Sequence, residues 1–241
     1  MRRVLVTGAG RGLGLELVRQ CLERGDRVIG CVRNPQRATD LAQLVNGAPE
    51  RCSIVPLDVG SAASVDACHD VVAAELDGLD LLINNAGINS QSAGIAEDQR
   101  DLAFGSLEPE GTLEMVRINA IAPVLITQGC FHLLKAGQDP KVANISSWLG
   151  SIAAKTGGGN YGYCASKTAL NMMGRAMAWN LKPHGIVTLM LNPGWVKTSM
   201  GGPRAKLTPE QSVAGLLRVI ENASIEDTGT FLQWDGSEHP W

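Results

Sequence analysis

The sequence TGAGRGLG, residues 7–14, follows a short apolar run at 3–7 and precedes apolar residues at helical spacing. This order predicts a buried strand, a glycine turn and a helix. Glycines in such a turn let the backbone approach a pyrophosphate, which rests on the helix N-terminus. The stricter GxGxxG spacing and the Walker pattern are both absent, because residue 13 is Leu and no Gly-Lys-Ser/Thr follows. The alternative is a turn needed only for strand-to-helix geometry.

The alternation of strand and helix continues along the rest of the chain. The pattern predicts strands at 3–7, 27–32, 53–57, 79–83, 142–146, 186–191 and 230–233. It predicts helices from Leu13 onward, at 35–45, at 61–76 with Ser61 as N-cap, at 112–134 despite Pro123, at 161–181 and at 208–220 with a capping box. We therefore expect an α/β fold, a single Rossmann-type domain over 1–241, with a doubly wound parallel sheet of about seven strands and helices on both faces.

Composition excludes several classes of protein. A net charge of −3 gives no basic surface for nucleic acid, and no apolar run approaches the ~20 residues of a membrane helix. No signal peptide is visible, the six cysteines form no CxxC pair, and the four histidines are far apart. These features predict a cytoplasmic protein with reduced thiols and no metal. The acidic segment 89–111 has no clear secondary structure, and its acids face solvent or guard a site entrance.

Two arginines bear on which dinucleotide would bind. An NAD site usually has an acid at the end of the second strand, about 20 residues after the glycine turn. That end reads Gly-Cys-Val-Arg33-Asn34, and Arg11 lies inside the turn. Either arginine alone reads as a solvated surface charge. Together they suit the 2′-phosphate of NADPH, which guanidinium groups bind with paired hydrogen bonds.

Tyr163 and Lys167 are four residues apart in a predicted helix and therefore share one face. An ammonium beside a phenol favours the phenolate, so we expect the pKa of Tyr163 to fall below its reference of ~10. Such a tyrosine is a proton donor to a substrate oxygen near neutral pH.

Seven motifs in order make the chain resemble a short-chain dehydrogenase/reductase. They are TGAGRGLG at 7–14, Leu57-Asp58-Val59, Asn84-Asn85-Ala86-Gly87, Asn119, Ser146-Ser147, Tyr163 with Lys167, and Asn192-Pro-Gly-Trp-Val-Lys-Thr198. Finer details, including Tyr-Gly-Tyr and Pro-Gly-Trp-Val, resemble the C-factor/sniffer-like carbonyl reductase subgroup of that family.

The resemblance implies a set of residues around NADPH or NADP. With the turn and the two arginines, they are Gly8, Arg11, Gly12, Leu13, Gly14, Arg33, Asp58, Val59, Asn85, Ala86, Gly87, Tyr163, Lys167, Pro193, Gly194, Val196 and Thr198. It implies that Asp58 binds the adenine amino group, that Lys167 holds the nicotinamide ribose and that Thr198 binds the nicotinamide carboxamide.

The resemblance also implies the catalytic residues Asn119, Ser147, Tyr163 and Lys167. Gly150 follows Ser147 at the family's spacing, so Ser146 is expected to be structural, and Tyr161 has Ala rather than Lys four residues later. Asn119 would hold a water in a proton relay; a buried Asn at a kink near Pro123 is the alternative.

The expected reaction is reduction of an aldehyde or ketone to an alcohol, with hydride from NADPH and a proton from Tyr163. Trp148 and Trp195 flank the expected substrate and suit an apolar or aromatic carbonyl, unless they are ordinary packing residues. An acidic substrate remains an alternative, because four cations lie close in sequence to the expected site: Lys155, Lys197, Arg204 and Lys206. The glycines of 199–207 would let that segment close as a lid.

Two other functions remain open from the sequence. One is a dinucleotide-binding regulatory or signalling module of C-factor type with little turnover, which has no need of all four catalytic residues. The other is an NADP-dependent alcohol dehydrogenase, because the same site catalyses both directions. By resemblance, helices 112–134 and 161–181 would form the interface of a homodimer or homotetramer.

Overall fold

Parallel strands form the centre of the computed structural model, which describes residues 1–91, 104–105 and 107–241. In those residues there are seven strands: β1 Arg3–Thr7, β2 Arg27–Val32, β3 Cys52–Pro56, β4 Leu81–Asn84, β5 Lys141–Ile145, β6 Val187–Asn192 and β7 Phe231–Gln233. Every neighbouring pair is parallel, in the order β3-β2-β1-β4-β5-β6-β7. The chain reverses direction across the sheet between β1 and β4, and doubly wound sheets bind ligands at that point.

Helices cover both faces of this sheet, which confirms the predicted fold class. They are α1 Gly12–Glu23, α2 Thr39–Gly47, α3 Ala62–Glu75, α4 Pro109–Val116, α5 Ala122–Gly129, α6 Phe131–Lys135, α7 Tyr161–Leu181 and α8 Pro209–Asn222. Alternate residues of β1 separate the two cores: Val4 and Val6 pack with α1, α2 and α8, whereas Leu5 packs with α3, α5, α6 and α7. Strands buried on both faces explain the continuous apolar runs of the sequence.

The predicted helix at 35–45 begins later than expected. Pro35–Arg37 is a single 3₁₀ turn, capped by the Asn34 side chain, which accepts a hydrogen bond from the Gln36 N–H. The α-helix starts only at Thr39. The predicted capping residues Ser61 and Thr208 do accept the N–H of the residue three positions later.

The prediction of one uninterrupted helix over 112–134 is wrong. Helix α4 gives way to a π-helical turn at Arg117–Ile121, followed by α5 and α6. Pro123 accounts for the break, because it has no N–H to offer the carbonyl of Asn119 and its ring crowds that carbonyl. The backbone hydrogen bonds of this π-turn join residues five apart instead of four, and such turns are frequent at functional sites.

The acidic segment 89–111 is described only in part. Glu97, Asp98 and Asp101 lie outside the described residues, and Glu108 and Glu110 are exposed at the start of α4. Within the described parts of the chain, no helix is long and apolar enough to cross a bilayer.

Candidate active site

The motif residues converge at the carboxyl edge of the sheet, where the loops after β1, β4, β5 and β6 meet. A Cβ built on Gly8 would lie 2.9 Å from the Ala86 Cα, and one built on Gly12 would lie 3.4 Å from the Thr198 Cγ2. One built on Gly87 would lie 3.2 Å from the Asn119 Oδ1 and 3.6 Å from the Lys167 Nζ. Residues that are far apart in the sequence therefore share one crevice.

The glycine turn is a close-fitting cradle at the start of α1. Gly8 and Gly12 have φ of +67° and +55°, a region that other residues rarely adopt. A Cβ on Gly14 would lie 2.1 Å from the Gly8 carbonyl oxygen and 2.6 Å from the Asn85 Nδ2. The Asn85 amide donates to the carbonyls of Thr7 (2.9 Å) and Gly8 (3.3 Å), which ties this turn to β4.

The open end of α1 fits a pyrophosphate. The helix has no side-chain cap at Arg11, so its first N–H groups are left to a ligand. Leu13 packs against the core below the turn. The Thr7 hydroxyl accepts hydrogen bonds from the N–H groups of Asn85 and Ala86, both at 3.0 Å, and holds the two loops together.

Arg11 and Arg33 lie at the same edge of the sheet. The Ala9 N–H, in the glycine turn, donates to the carbonyl of Cys31 at 3.0 Å, two residues before Arg33. Both arginines are exposed, and neither has an ion pair or a side-chain hydrogen bond in the part of the chain that the structure describes. Their charge is therefore available to a phosphate at the end of β2.

Asp58 and Val59 follow β3 at the adenine end of the expected site. The Asp58 carboxylate is exposed and accepts the Gly60 N–H at 3.0 Å, and the Asp58 N–H donates to the Ser64 hydroxyl at 2.9 Å. Val59 is half-buried against the core that contains α3. One carboxylate oxygen of Asp58 thus fixes the local turn.

Asn119 is fully buried in the π-turn. Its amide donates to the Ile88 carbonyl (2.8 Å) and to the Ser166 hydroxyl (2.9 Å), and its oxygen accepts the Ile88 N–H at 2.8 Å. Ser166 in turn donates to the Tyr163 carbonyl at 2.8 Å. The widened turn therefore joins the loop after β4 to the helix that carries Tyr163.

The two serines after β5 have different surroundings. Ser146 is buried and donates to the Asn171 Oδ1 at 2.7 Å. Ser147 is half-buried and caps the 3₁₀ turn at Trp148–Gly150. A Cβ on Gly150 would lie 3.0 Å from the Lys167 carbonyl oxygen, so glycine lets this turn pack directly on α7. That close approach places the Ser147 hydroxyl beside Tyr163.

The expectation that Lys167 lowers the pKa of Tyr163 is wrong for the chain by itself. Burial raises the pKa of Tyr163 to about 12, and the neighbouring Ser147 hydroxyl acts in the opposite direction. The Lys167 Nζ lies 5.9 Å from the centroid of the Tyr163 ring and donates to the Ile145 carbonyl at 2.8 Å. Burial lowers the pKa of Lys167 from 10.5 to about 8, so desolvation dominates at both groups.

The loop after β6 closes the site opposite Tyr163. Pro193 is fixed by its carbonyl, which accepts the Ser212 hydroxyl at 2.7 Å, and Gly194 has a φ of +78°. Val196 is buried and pairs with Leu207 in an isolated bridge. This bridge brings Thr198 against the glycine turn.

Aromatic side chains stand exposed around this crevice. Trp148 and Trp195 are 46% and 45% exposed. The Trp195 Nε1 donates to the Gly201 carbonyl at 2.7 Å. That bond and the Leu207 N–H to Trp195 carbonyl bond (3.0 Å) fold 199–207 back on Trp195.

The family follows from a match over most of the chain. Residues 2–208 match the model of the short chain dehydrogenase family. The chain is a short-chain dehydrogenase. It is therefore an NAD(P)-dependent oxidoreductase, and the resemblance stated from the motifs is confirmed.

This short-chain dehydrogenase is similar to several known proteins. It is 42% identical to C-signal of Myxococcus xanthus over 164 residues, which are 68% of this chain and 93% of that protein. It is 31% identical to 1-hydroxy-2-glutathionyl-2-methyl-3-butene dehydrogenase of Rhodococcus, covering 100% of both chains.

Two solved structures share its fold. The NADPH-bound carbonyl reductase from chicken fatty liver has a TM-score of 0.90 and 36% identity, covering 100% of this chain and 99% of that one. The carbonyl reductase Sniffer of D. melanogaster has a TM-score of 0.92 and 30% identity, covering 100% of both.

Sequence reasoning missed some residues of this short-chain dehydrogenase site. Ser166 and Asn171 hold the Tyr163 helix to Asn119 and to the Ser147 turn, and the Asn171 amide also donates to the Gly150 carbonyl at 3.2 Å. Both occupy ordinary helical positions, so no local pattern singles them out. The contact of Lys155 with Cys164 was also missed, because Lys155 lies in the loop before α7 and no local pattern relates it to that thiol.

Proposed function

We propose that this short-chain dehydrogenase is an NADPH-dependent carbonyl reductase that converts an aldehyde or ketone to an alcohol. The observation that carries the proposal is the placement of the Ser147 hydroxyl and the Lys167 ammonium next to Tyr163, in the same crevice as the glycine turn. A proton donor next to a dinucleotide site is what carbonyl reduction requires.

The residues of the crevice fit NADPH. The glycines at 8, 12 and 14 allow the turn to pack tightly, and the uncapped N-terminus of α1 is suited to a pyrophosphate. Arg11 and Arg33, which have no ion pair in the described residues, supply charge for a 2′-phosphate. We assign Asp58 and Val59 to the adenine, Asn85, Ala86 and Gly87 to the middle of the cofactor, Lys167 to the nicotinamide ribose, and Pro193, Gly194, Val196 and Thr198 to the nicotinamide. When bound, NADPH supplies the hydride for the carbonyl carbon.

Ser147 and Tyr163 act on the carbonyl oxygen of the substrate. Ser147 donates a hydrogen bond to the carbonyl oxygen and stabilises the negative charge that develops there. A Tyr163 with a pKa near 12 holds its proton throughout the neutral range and gives it to the more basic alkoxide. Asn119 keeps the Tyr163 helix and the β4 loop in register, and we assign to it the water that links Lys167 with solvent.

Exposed aromatic surface defines the substrate class. Trp148 and Trp195, together with Ile152 at 74% exposure, present apolar area to solvent beside the catalytic turn. Burying such surface against a substrate is favourable. We assign Trp148 and Trp195 as the walls that contact an apolar or aromatic aldehyde or ketone.

Tyr163→Phe tests the mechanism. The variant removes only the phenol oxygen, so we expect NADPH binding close to wild type and a fall in kcat of roughly 10²- to 10⁴-fold, the range for a lost general acid. NADPH oxidation would be followed with a panel of aldehydes, ketones and quinones. Tyr161→Phe is the matched control, because Tyr161 is an exposed tyrosine two residues earlier on the same helix. Equal turnover by Tyr163→Phe and wild type would refute the mechanism.

A regulatory function is the second candidate, because the identity to C-signal is 42%. It predicts tight NADPH binding without consumption of any carbonyl in the panel. An alcohol dehydrogenase working with NADP uses the same residues in reverse. Comparing reduction with oxidation of the product alcohol at equal enzyme concentration distinguishes these directions.

Two adjacent helical segments expose a stripe of apolar side chains. Leu113, Ile121 and Leu125 stand exposed on one segment, and Met172 and Trp179 on α7, at 70% and 59% for the last two. The small residues of α7 lie on two different faces of the helix. Ala165 and Ala176 are exposed, whereas Gly174 and Ala178 are buried. We propose a homodimer or homotetramer through this stripe. A single-chain mass by light scattering would refute it.

We place this single catalytic domain, residues 1–241, in the cytoplasm. All six cysteines are free thiols, five of them buried, as expected in a reducing compartment. Within the described residues no cluster of three His, Cys, Asp or Glu side chains is arranged to hold a metal.

A further inference from the structure

Charge is distributed very unevenly around the candidate site. Residues 141–209, which supply Ser147, Tyr163, Lys167 and the loop after β6, contain eight Lys and Arg residues and no Asp or Glu. The whole chain nevertheless has 24 acids against 21 basic residues. The segment that supplies these site residues is therefore positively charged within a protein of negative net charge.

Among the described residues, only Lys141 of these eight cations has an ion pair. Lys141 pairs with Asp139, Lys167 donates to Ile145, and Arg175 and Lys182 lie over tryptophan rings. The other four are Lys155, Lys197, Arg204 and Lys206, which carry no ion pair in the described parts of the chain. These are the cations of the two segments that border the site.

Lys155 is the one that the fold holds against the helix that carries the catalytic phenol. Its Nζ donates to the Gly159 carbonyl at 2.9 Å and to the Cys164 Sγ at 3.4 Å. Cys164 directly follows Tyr163, and its thiol is close enough to contribute to the raised pKa of that phenol. The ammonium of Lys155 thus sits at the first turn of α7, next to the residue that follows Tyr163.

This ammonium is suited to bind an anion. An ammonium has three N–H donors, and the contacts above use two of them. Lys155 is half-buried, so it has lost part of its hydration, and a carbonyl and a thiol replace that only in part. A carboxylate at the third donor would complete its coordination and compensate its charge. Lys197, Arg204 and Lys206 add an attractive field for an approaching anion.

From this arrangement we infer that Lys155 is a specificity-determining residue that binds a carboxylate on the substrate. The inference rests on the proposed reductase function and narrows its substrate class. The substrate is a carbonyl compound with an apolar or aromatic body against Trp148 and Trp195 and a carboxylate at its far end. Lys155 contacts that carboxylate and takes no part in proton transfer.

A matched substrate pair tests the inference. 4-Carboxybenzaldehyde and methyl 4-formylbenzoate have similar size and carbonyl reactivity but differ by one negative charge. We expect a higher kcat/KM for the acid, and a ratio of acid to ester that falls about 10-fold or more in Lys155→Met, as for loss of a charge-assisted hydrogen bond. The change should lie in KM, because the contact persists unchanged from ground state to transition state.

Two variants control for folding and net charge. Lys155→Arg keeps the cation and should restore most of the ratio. Lys135→Met removes an exposed cation on α6, over the Phe131 ring, and should leave the ratio unchanged. Added salt should lower kcat/KM for the acid more than for the ester.

The outcomes separate the inference from the proposed function. Turnover of both aldehydes with no preference for the acid, or equal losses for both in Lys155→Met, would overturn the carboxylate contact. Binding of 4-hydroxymethylbenzoate to the NADPH complex, measured by tryptophan fluorescence, needs no turnover. Binding that depends on Lys155 without any turnover would support the contact and contradict the reductase function.

Discussion

The buried ammonium of Lys167 should lower the free energy of unfolding of this protein. Its side chain is 5% exposed, and burial lowers its pKa from 10.5 to about 8. That difference corresponds to about 3 kcal/mol, since each pKa unit is worth about 1.4 kcal/mol. Replacement by Met keeps the unbranched stem and removes the charge, but loses the hydrogen bond to the Ile145 carbonyl, worth about 1 kcal/mol. We therefore expect Lys167→Met to be about 2 kcal/mol more stable than wild type at pH 7, and inactive.

The pH dependence gives this prediction its sign. The penalty is fully present below pH 8, where the folded and unfolded chains both hold the proton of Lys167. Between pH 8 and 10.5 the unfolded chain binds more protons than the folded one, so wild-type stability rises with pH. Lys167→Met lacks this group, and its advantage should shrink over the same interval.

Urea denaturation without cofactor measures both effects. The free energies of unfolding would be compared at pH 7 and at about pH 9.5, where the folded lysine is largely neutral. Lys135→Met, at an exposed position, should differ little from wild type at either pH. A less stable Lys167→Met at pH 7, or an advantage of equal size at both pH values, would show that desolvation of Lys167 does not govern its energetics.

Two further changes test the cofactor site. Arg33→Ala should raise the KM for NADPH about 10- to 100-fold, by loss of a charge-assisted phosphate contact, and should change the KM for NADH little. An equal effect on both cofactors would contradict the assignment. Arg218→Ala, at an exposed position, is the control. Gly14→Ala places a Cβ 2.1 Å from the Gly8 carbonyl oxygen, so we expect a loss of roughly 1–3 kcal/mol of stability and weaker NADPH binding. Gly47→Ala, which has open space around its Cβ, is the matched control in thermal melts, and similar melting temperatures for the two variants would refute the steric argument.

The local course of the chain was largely predictable from the sequence. β1, β2 and α7 have the predicted bounds, and the other strands differ by one or two residues. Apolar periodicity and capping residues act over a few positions, so these elements can be read from neighbouring residues. The prediction of one helix across Pro123 was wrong because this proline removes a backbone donor, and the sequence does not show that Asn119 in the resulting π-turn is held by the loop after β4.

The family could also be predicted from the ordered motifs, because a glycine turn, an asparagine run and a Tyr–Lys pair at fixed positions can be recognised in the sequence. The pKa values of the site residues could not be predicted from the sequence. Proximity in the sequence predicted a low pKa for Tyr163, whereas the residues packed around it raise that pKa to about 12. Spacing along a helix determines which side chains are neighbours, but desolvation depends on every segment that surrounds them. For the same reason only the tertiary structure placed the Lys155 ammonium at Cys164, the residue that follows Tyr163.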